Sequence, residues 1–328
     1  MGGAGAGVVG GVGSDMNEQR GVLSDGLKMV AHNKRYIVWF YFLNLALAVF
    51  GTVAFAQQVH NILDLSLVSD RLLHGFDLSV FLEMLARPEF GSAPAASKSA
   101  GHFAVLFFVA TALFLPGVFQ GYASTYRLPR EDFFRACGRN LWRFIRLLLI
   151  AGVVMVVVAG VLFLLNGAIV KHATESTNEL LPFDLQVLGL FVIFLVMTTL
   201  RIWFDLAETD VVLSDQRAVR KSIGSAFGHT FRSLIRLLTS YVAVTIVAAI
   251  ILLGGLWTWV KLVRPDSVVG AFLVGQFTLL LLLIPRFWQR GIAVSYWRQK
   301  MLVPVAAPIA PQPVPETGPA IPTAMPEP

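Results

Sequence analysis

The chain has 328 residues, of which 56% are hydrophobic and only 14% charged. A soluble domain carries about 25% charged residues, so neither a disordered chain nor an ordinary soluble enzyme fits. The net charge of +6 is modest, and a single cysteine, Cys137, excludes an internal disulfide framework and a Cys-cluster metal site.

The missing charge is concentrated in six stretches without any Asp, Glu, Lys or Arg: 36–63, 99–126, 147–170, 185–200, 237–260 and 267–285. Crossing ~30 Å of hydrocarbon takes about 20 apolar residues, and backbone groups in lipid must be satisfied within the segment. The fourth stretch is short, but Ile202, Trp203 and Phe204 extend it past Arg201, which can snorkel to the interface. The expectation is an all-α fold, a polytopic membrane helical bundle. Its six transmembrane helices fall at about 36–58, 103–122, 147–170, 185–204, 237–260 and 267–285. This membrane domain occupies 20–303, with an outer cap loop at 59–102. It is flanked by a disordered Gly-rich N-terminus, 1–19, and a disordered Pro-rich tail, 304–328, which holds nine of the 16 prolines.

Orientation follows from the cations. The N-terminal segment, the second and fourth loops and the C-terminal segment together hold 20 of the 26 Lys and Arg residues. The positive-inside rule then puts both termini in the cytoplasm of a cell with an inner membrane, with Cys137 on the reducing side. Tyr36, Trp39, Tyr122, Trp142, Trp203, Trp257 and Tyr296 fall near span ends, where aromatic rings favour the headgroup level.

Several segments flank the spans. Residues 20–35 have the spacing of a short amphipathic helix on the inner membrane surface. Residues 66–74 and 77–86 suit two short helices folded over the outer mouth, and 91–100 a flexible joint. In the second loop, Arg135, Arg139, Arg143 and Arg146 form one helical stripe, with Phe134, Cys137, Leu141, Phe144 and Ile145 opposite. In the fourth, Ser214 or Asp215 is placed to cap a helix whose apolar side is Val219, Ile223, Phe227, Phe231 and Leu234. A shift of 90 aligns Ile145-Arg146-Leu147-Leu148 with Ile235-Arg236-Leu237-Leu238. Gly121-x-Ala-x-x-Tyr126 likewise recurs as Gly291 to Tyr296. A repeated hairpin explains this, and so does convergence of interfacial helices on Arg, Leu and Gly.

Candidate chemistry is sparse. Gly5-Ala-Gly-Val-Val-Gly10 matches GxGxxG but lacks the preceding strand that a dinucleotide site requires, so no cofactor is expected. His60, His74, His102 and His172 with Asp64, Asp70, Asp77 and Glu83 show no metal-ligand spacing, and solvated loop residues explain them better. Arg201, Asp205 and Glu208 form the most charged point near a span end. They are a candidate functional ion cluster, against the plainer reading of an Arg–Asp pair that fixes the helix. Arg139, Arg143, Arg146, Arg232 and Arg236 are candidate contacts to anionic lipid headgroups or to an interface, at ~1 kcal/mol each. Pro116 and Pro285 sit where kinks could open an inner cavity, and Gly117-x-x-x-Gly121 allows close helix contact.

The segments HNKRYIVWFYFLNLALAV, LLHGFDLSVFLEML and RIWFDLAETDVVLSDQRAVRKSIGSAFGHTFRSLIRLL resemble uncharacterised bacterial six-helix integral membrane proteins. The last is also similar to the membrane domain found beside bacterial glycerophosphodiester phosphodiesterases, in which a span ends in an acidic turn and an Ala/Ser/Arg helix follows. No phosphodiesterase catalytic domain is present, so the resemblance implies an architecture rather than that activity. The expected function is a non-enzymatic membrane module that organises the envelope. It would bind anionic lipid, a protein partner or a second copy, with no nucleic-acid partner. The alternative is a small-solute or lipid transporter using a cavity near Pro116 and Pro285.

Overall fold

A computed structural model describes residues 9–48, 94–124, 126–174, 180–215, 218–264 and 267–301, without the side chains of 9–20 and 94–104. The described chain is helical, with no strand. Its elements are α1 (Val9–His32), α2 (Arg35–Ala48), α3 (Pro94–Ala123), α4 (Arg130–Ala173), α5 (Leu181–Leu213), α6 (Val219–Arg232), α7 (Leu234–Leu262) and α8 (Val268–Tyr296), which continues into a π-helical turn at Trp297–Met301. Five of them, α3, α4, α5, α7 and α8, are long and apolar enough to cross a membrane. The start of the expected first span is the apolar helix α2, whose continuation lies outside the described residues, as do most of the cap loop and the Pro-rich tail.

Short connections join α3 to α4, α4 to α5 and α7 to α8, and long helices joined so briefly pack as antiparallel hairpins. One end of the structure therefore collects the start of α2, the end of α3, the start of α4, the end of α5, α6, the start of α7 and the end of α8. Burial is concentrated at this end. α4 buries Phe133, Cys137, Asn140, Phe144, Leu147 and Ala151 in its first half, and α7 buries only Leu237, Ser240, Tyr241 and Val244. The buried residues of α8 all lie from Leu283 onward. Beyond that, Leu164, Leu188, Ile250, Leu253 and Leu273 are exposed, as lipid-facing side chains are. The far ends of the hairpins meet at small residues, with Gly189 of α5 against Asn166 of α4 and Gly255 of α7 against Thr278 of α8.

Several expectations are corrected. α1 packs along another helix of the bundle. It crosses α8 where Gly26 meets Gly291: a Cβ on Gly26 would come 2.9 Å from the Ile292 nitrogen, and one on Gly291 2.6 Å from the Gly26 carbonyl oxygen. Val22 and Val30 are buried in that contact, and Trp288 Nε1 donates to the Leu23 carbonyl at 2.9 Å. The helix also begins at Val9 rather than near residue 20, and α3 takes in most of the expected joint, with Pro94 as its first residue. Proline suits that position because its missing N–H would be unpaired there anyway. The second-loop helix and third span are one 44-residue helix, α4, about 66 Å long, since no Gly or Pro interrupts Arg143–Ala151.

The aligned fourth-loop segment behaves differently. Ser233 leaves helical geometry at φ −122° and ψ 29° and separates α6 from α7. The buried Tyr296 hydroxyl is hydrogen-bonded to Ser233 Oγ at 2.9 Å there. Its counterpart Tyr126 is exposed, so the two similar segments have unlike local structure. The aromatic residues expected at the headgroup level also divide. Tyr36, Tyr122 and Tyr296 are fully buried, whereas Trp142 and Trp257 are exposed. The pair Gly117 and Gly121 does allow close approach, to Phe133 and Cys137 of α4 and to Tyr36 of α2 respectively.

The Gly26–Gly291 crossing sets how closely α1 can lie on α8. Gly26→Val is expected to lower the melting temperature in detergent, by a loss of about 1–3 kcal/mol for overpacking. Gly138→Ala, where a Cβ meets nothing within 4 Å, should be neutral or slightly stabilising in the same thermal scan.

Candidate functional site

Arg201, Asp205 and Glu208 follow one another at i, i+4 and i+7, so α5 presents them as one stripe. α8 lies against this part of α5 and supplies Arg286 and Arg290, one turn apart. Arg201 Nε is 3.8 Å from Asp205 Oδ2, so the expected pair is present. It is half of a larger arrangement. The Tyr241 hydroxyl of α7 donates to Asp205 Oδ2 at 2.9 Å and lies 3.1 Å from the Gln289 carbonyl oxygen. Gln289 Nε2 in turn donates to Thr245 Oγ1 at 3.2 Å. Glu208 is 6% exposed and Arg290 7%. Glu208 lies near the like charge of Asp205 and the opposite charges of Arg290, Arg201 and Arg286. One turn further on, Asp210 accepts from Trp297 Nε1 at 3.0 Å and Ser214 Oγ at 2.6 Å.

The two carboxylates of the expected cluster, Asp205 and Glu208, are both buried. The arrangement also moves two cations out of the solvent-facing set: Arg290 is buried and Arg286 is half-buried over the Phe107 ring at 5.4 Å. The signal in the sequence was Arg286 directly after Pro285 and Arg290 one turn on, at the spacing that would face a helix carrying Asp205 and Glu208. Nothing in the spacing pointed to Tyr241.

Both arginines border a small cavity between α2, α3 and α8, lined also by Asn44, Thr111 and Phe287. Its volume of about 10 Å³ admits roughly one water and no solute. The cluster is therefore a closed ionic joint between α5, α7 and α8. Among the described residues no three His, Cys, Asp or Glu side chains converge as a metal site, and most of the outer histidines and acids weighed above lie outside them.

The five candidate interface arginines divide into two groups. Arg139 and Arg143 both bind the Asp215 carboxylate, Arg143 Nη1 at 2.7 Å from Oδ1. Asp215 sits in the left-handed region at φ 52°, which Asp tolerates better than most residues. It does not cap α6, whose N-cap is Ala218 with no side-chain bond, and Ser214 ends α5 instead. Arg236 is half-buried over the Tyr296 ring at 5.9 Å. Arg146 stacks over Trp142 at 5.2 Å with its side chain exposed, and Arg232 is exposed.

α6 also turns differently from expectation. Its protein-facing side is the small stripe Ser222, Ala226 and Thr230, while Phe227 and Phe231 are exposed. Small residues let the helix approach α5 closely, and Trp203 Nε1 ties it there by donating to the Ile223 carbonyl at 2.9 Å. On α4 the buried stripe runs through Phe133 rather than Phe134, a one-residue rotation.

Comparison with known protein families, with curated proteins and with solved structures gave no match.

Two measurements probe the site. Arg290→Met leaves Asp205 and Glu208 buried with one cation fewer and is expected to lower the melting temperature. Adding Glu208→Gln should recover a large part of the loss in a thermal double-mutant cycle, which additive effects would contradict. The paired guanidinium groups of Arg143 and Arg139 hold the Asp215 carboxyl below the usual carboxylate range. The link therefore stabilises the fold at neutral pH and is lost as pH falls through that lowered pKa. The melting temperatures of wild type and Asp215→Asn should differ at pH 7 and converge on acidification.

Proposed function

We propose that this chain is a multi-pass membrane module, with both termini on the cytoplasmic side of an inner membrane, that engages anionic headgroups or a partner through its basic end and has no catalytic role of its own. The observation that carries the reading is the arrangement around α6. This helix turns Phe227 and Phe231 outward, Ile235 at the start of α7 is exposed beside them, and exposed Arg220, Lys221 and Arg232 share the same segment. Apolar side chains beside cations are what a helix at an anionic lipid surface presents. Arg146 and Arg232 take the headgroup role, whereas Arg139, Arg143 and Arg236 are occupied inside the structure. The sequence resemblance of residues 201–238 to the membrane domain that accompanies glycerophosphodiester phosphodiesterases agrees with a membrane module.

One observation favours a second reading, a transporter for a small solute or lipid. Arg286 and Arg290 of α8 border the cavity beside Pro285, and ionisable groups between membrane helices are a usual feature of transport pathways. The cavity's volume weighs against it in this conformation.

Purified protein should be stabilised more by phosphatidylglycerol than by phosphatidylcholine in mixed micelles, by about 1 kcal/mol per engaged cation, and the difference should shrink as salt is raised. The triple variant Arg220→Ala/Lys221→Ala/Arg232→Ala should lose part of it. Equal stabilisation by the two lipids sinks the headgroup reading, and solute flux into proteoliposomes would favour the transporter.

A further inference from the structure

A second feature of the basic end lies away from α6, where α2 meets the turn between α3 and α4. Tyr36 stacks on Phe133 at 5.4 Å, and Arg35 Nη2 donates to the Leu128 carbonyl at 2.7 Å. These contacts bring the start of α2 against the start of α4 and leave a groove between them. Its deeper part, about 420 Å³, is lined by Trp39, Leu43, Phe114, Phe133 and Phe134, with Arg130 at the edge. Its other part, about 510 Å³, is lined by His32, Lys34, Arg35, Arg127 and Trp39. Trp39 lines both, so the apolar part and the basic part adjoin at its ring. Leu43 lies eight residues beyond Arg35, about 12 Å along α2.

We propose that this groove is a discrete binding site for one anionic phospholipid, with the phosphate between Lys34, Arg127 and Arg130 and an acyl chain along Trp39, Phe134, Phe114 and Leu43. The charge pattern selects the occupant. Lys34 and Arg127, which line the basic part, and Arg130, which lines the apolar part, are exposed. Nearby, Asp132 is engaged by Arg135 at 3.4 Å, which leaves Glu131 as the opposing carboxylate on that turn. Arg35 Nε, in the basic part, is buried without a hydrogen-bond partner, a donor that a phosphate oxygen or its water could satisfy. The apolar part has volume enough for several methylene groups, and Phe134 beside it is 55% exposed. A free phosphate would use only the basic mouth, and a neutral lipid only the slot.

This site rests on the reading of the basic end as an anionic-lipid surface, but it uses residues distinct from those of α6, so the two can fail separately. The test is native mass spectrometry of the full chain released from detergent with added phosphatidylglycerol, phosphatidylcholine or inorganic phosphate. Wild type should hold one phosphatidylglycerol at concentrations where phosphatidylcholine does not bind. Arg127→Ala/Arg130→Ala should weaken that first lipid about thirty-fold, from about fivefold per cation. Phe134→Ser should weaken it while sparing the phosphate mouth. Arg220→Ala/Lys221→Ala/Arg232→Ala should leave it intact. If phosphatidylglycerol is preferred but only the α6 variant weakens it, this site is overturned and the general reading stands. If no lipid is preferred, both fall. If inorganic phosphate displaces phosphatidylglycerol at equal concentration, the acyl slot is unused and the proposal fails. It also fails if wild type is a dimer that Phe134→Ser dissociates, because the groove is then a contact between two chains. Circular dichroism and melting temperature of each variant, matched to wild type, exclude unfolding as the cause of lost binding.

Discussion

Removing a carboxylate or a guanidinium from water costs several kcal/mol unless its neighbours answer it. Between α5 and α8 this chain buries Asp205, Glu208 and Arg290, with Arg201 and Arg286 at the edges and the Tyr241 hydroxyl on Asp205. The helices cannot slide or rotate past one another without leaving a charge unanswered in an apolar surrounding. The Tyr241 hydroxyl of α7, bonded to Asp205 of α5 and to the Gln289 carbonyl of α8, ties these buried polar groups together and sets the register of the three helices. Other elements are built onto it. α1 lies on α8 through the Gly26–Gly291 crossing, the π-helical turn reaches Asp210 through Trp297, and Tyr296 meets the break at Ser233.

The same end holds the structure's tightest apolar packing and most of its outward cations. These two properties coincide because the helices meet there and diverge elsewhere. Tyr36, Phe133, Phe144 and Phe287 fill the space among α2, α3, α4 and α8, whereas the far halves of α4, α7 and α8 expose most of their apolar side chains. A segment that packs by small residues, as α6 does through Ser222, Ala226 and Thr230, leaves its large residues free to face lipid. The arginine side chains divide in a similar way. Those beside a carboxylate or an aromatic ring of the protein are held, and those beyond reach of one remain outward.

Much of the fold was legible in the sequence. Stretches without charge marked α3, α4, α5, α7 and α8, because hydrocarbon excludes charge irrespective of which helix packs against which. The Arg201–Asp205 pair was also readable, since i and i+4 lie on one helix face. Rotation was less accessible: Phe133 and Phe134 differ by about 100° around α4, and only contact with Tyr36 and Gly117 decides between them. The expected cap at Ser214 or Asp215 was wrong for a related reason, because Arg139 and Arg143 come from 72 or more residues away.

The sequence by itself determined that this is a helical chain with lipid-length apolar segments and cations grouped between alternate pairs, because those properties reside in local runs of residues. Only the tertiary structure decided which charges are buried and which face outward. Arg286 and Arg290 look like surface cations when read along the chain, as do Arg139 and Arg143. Their partners sit on other helices, and a side chain's burial depends on what lies across from it. The groove at Trp39 is the same kind of fact, since its two walls are brought together by hydrogen bonding and ring stacking between segments about 90 residues apart.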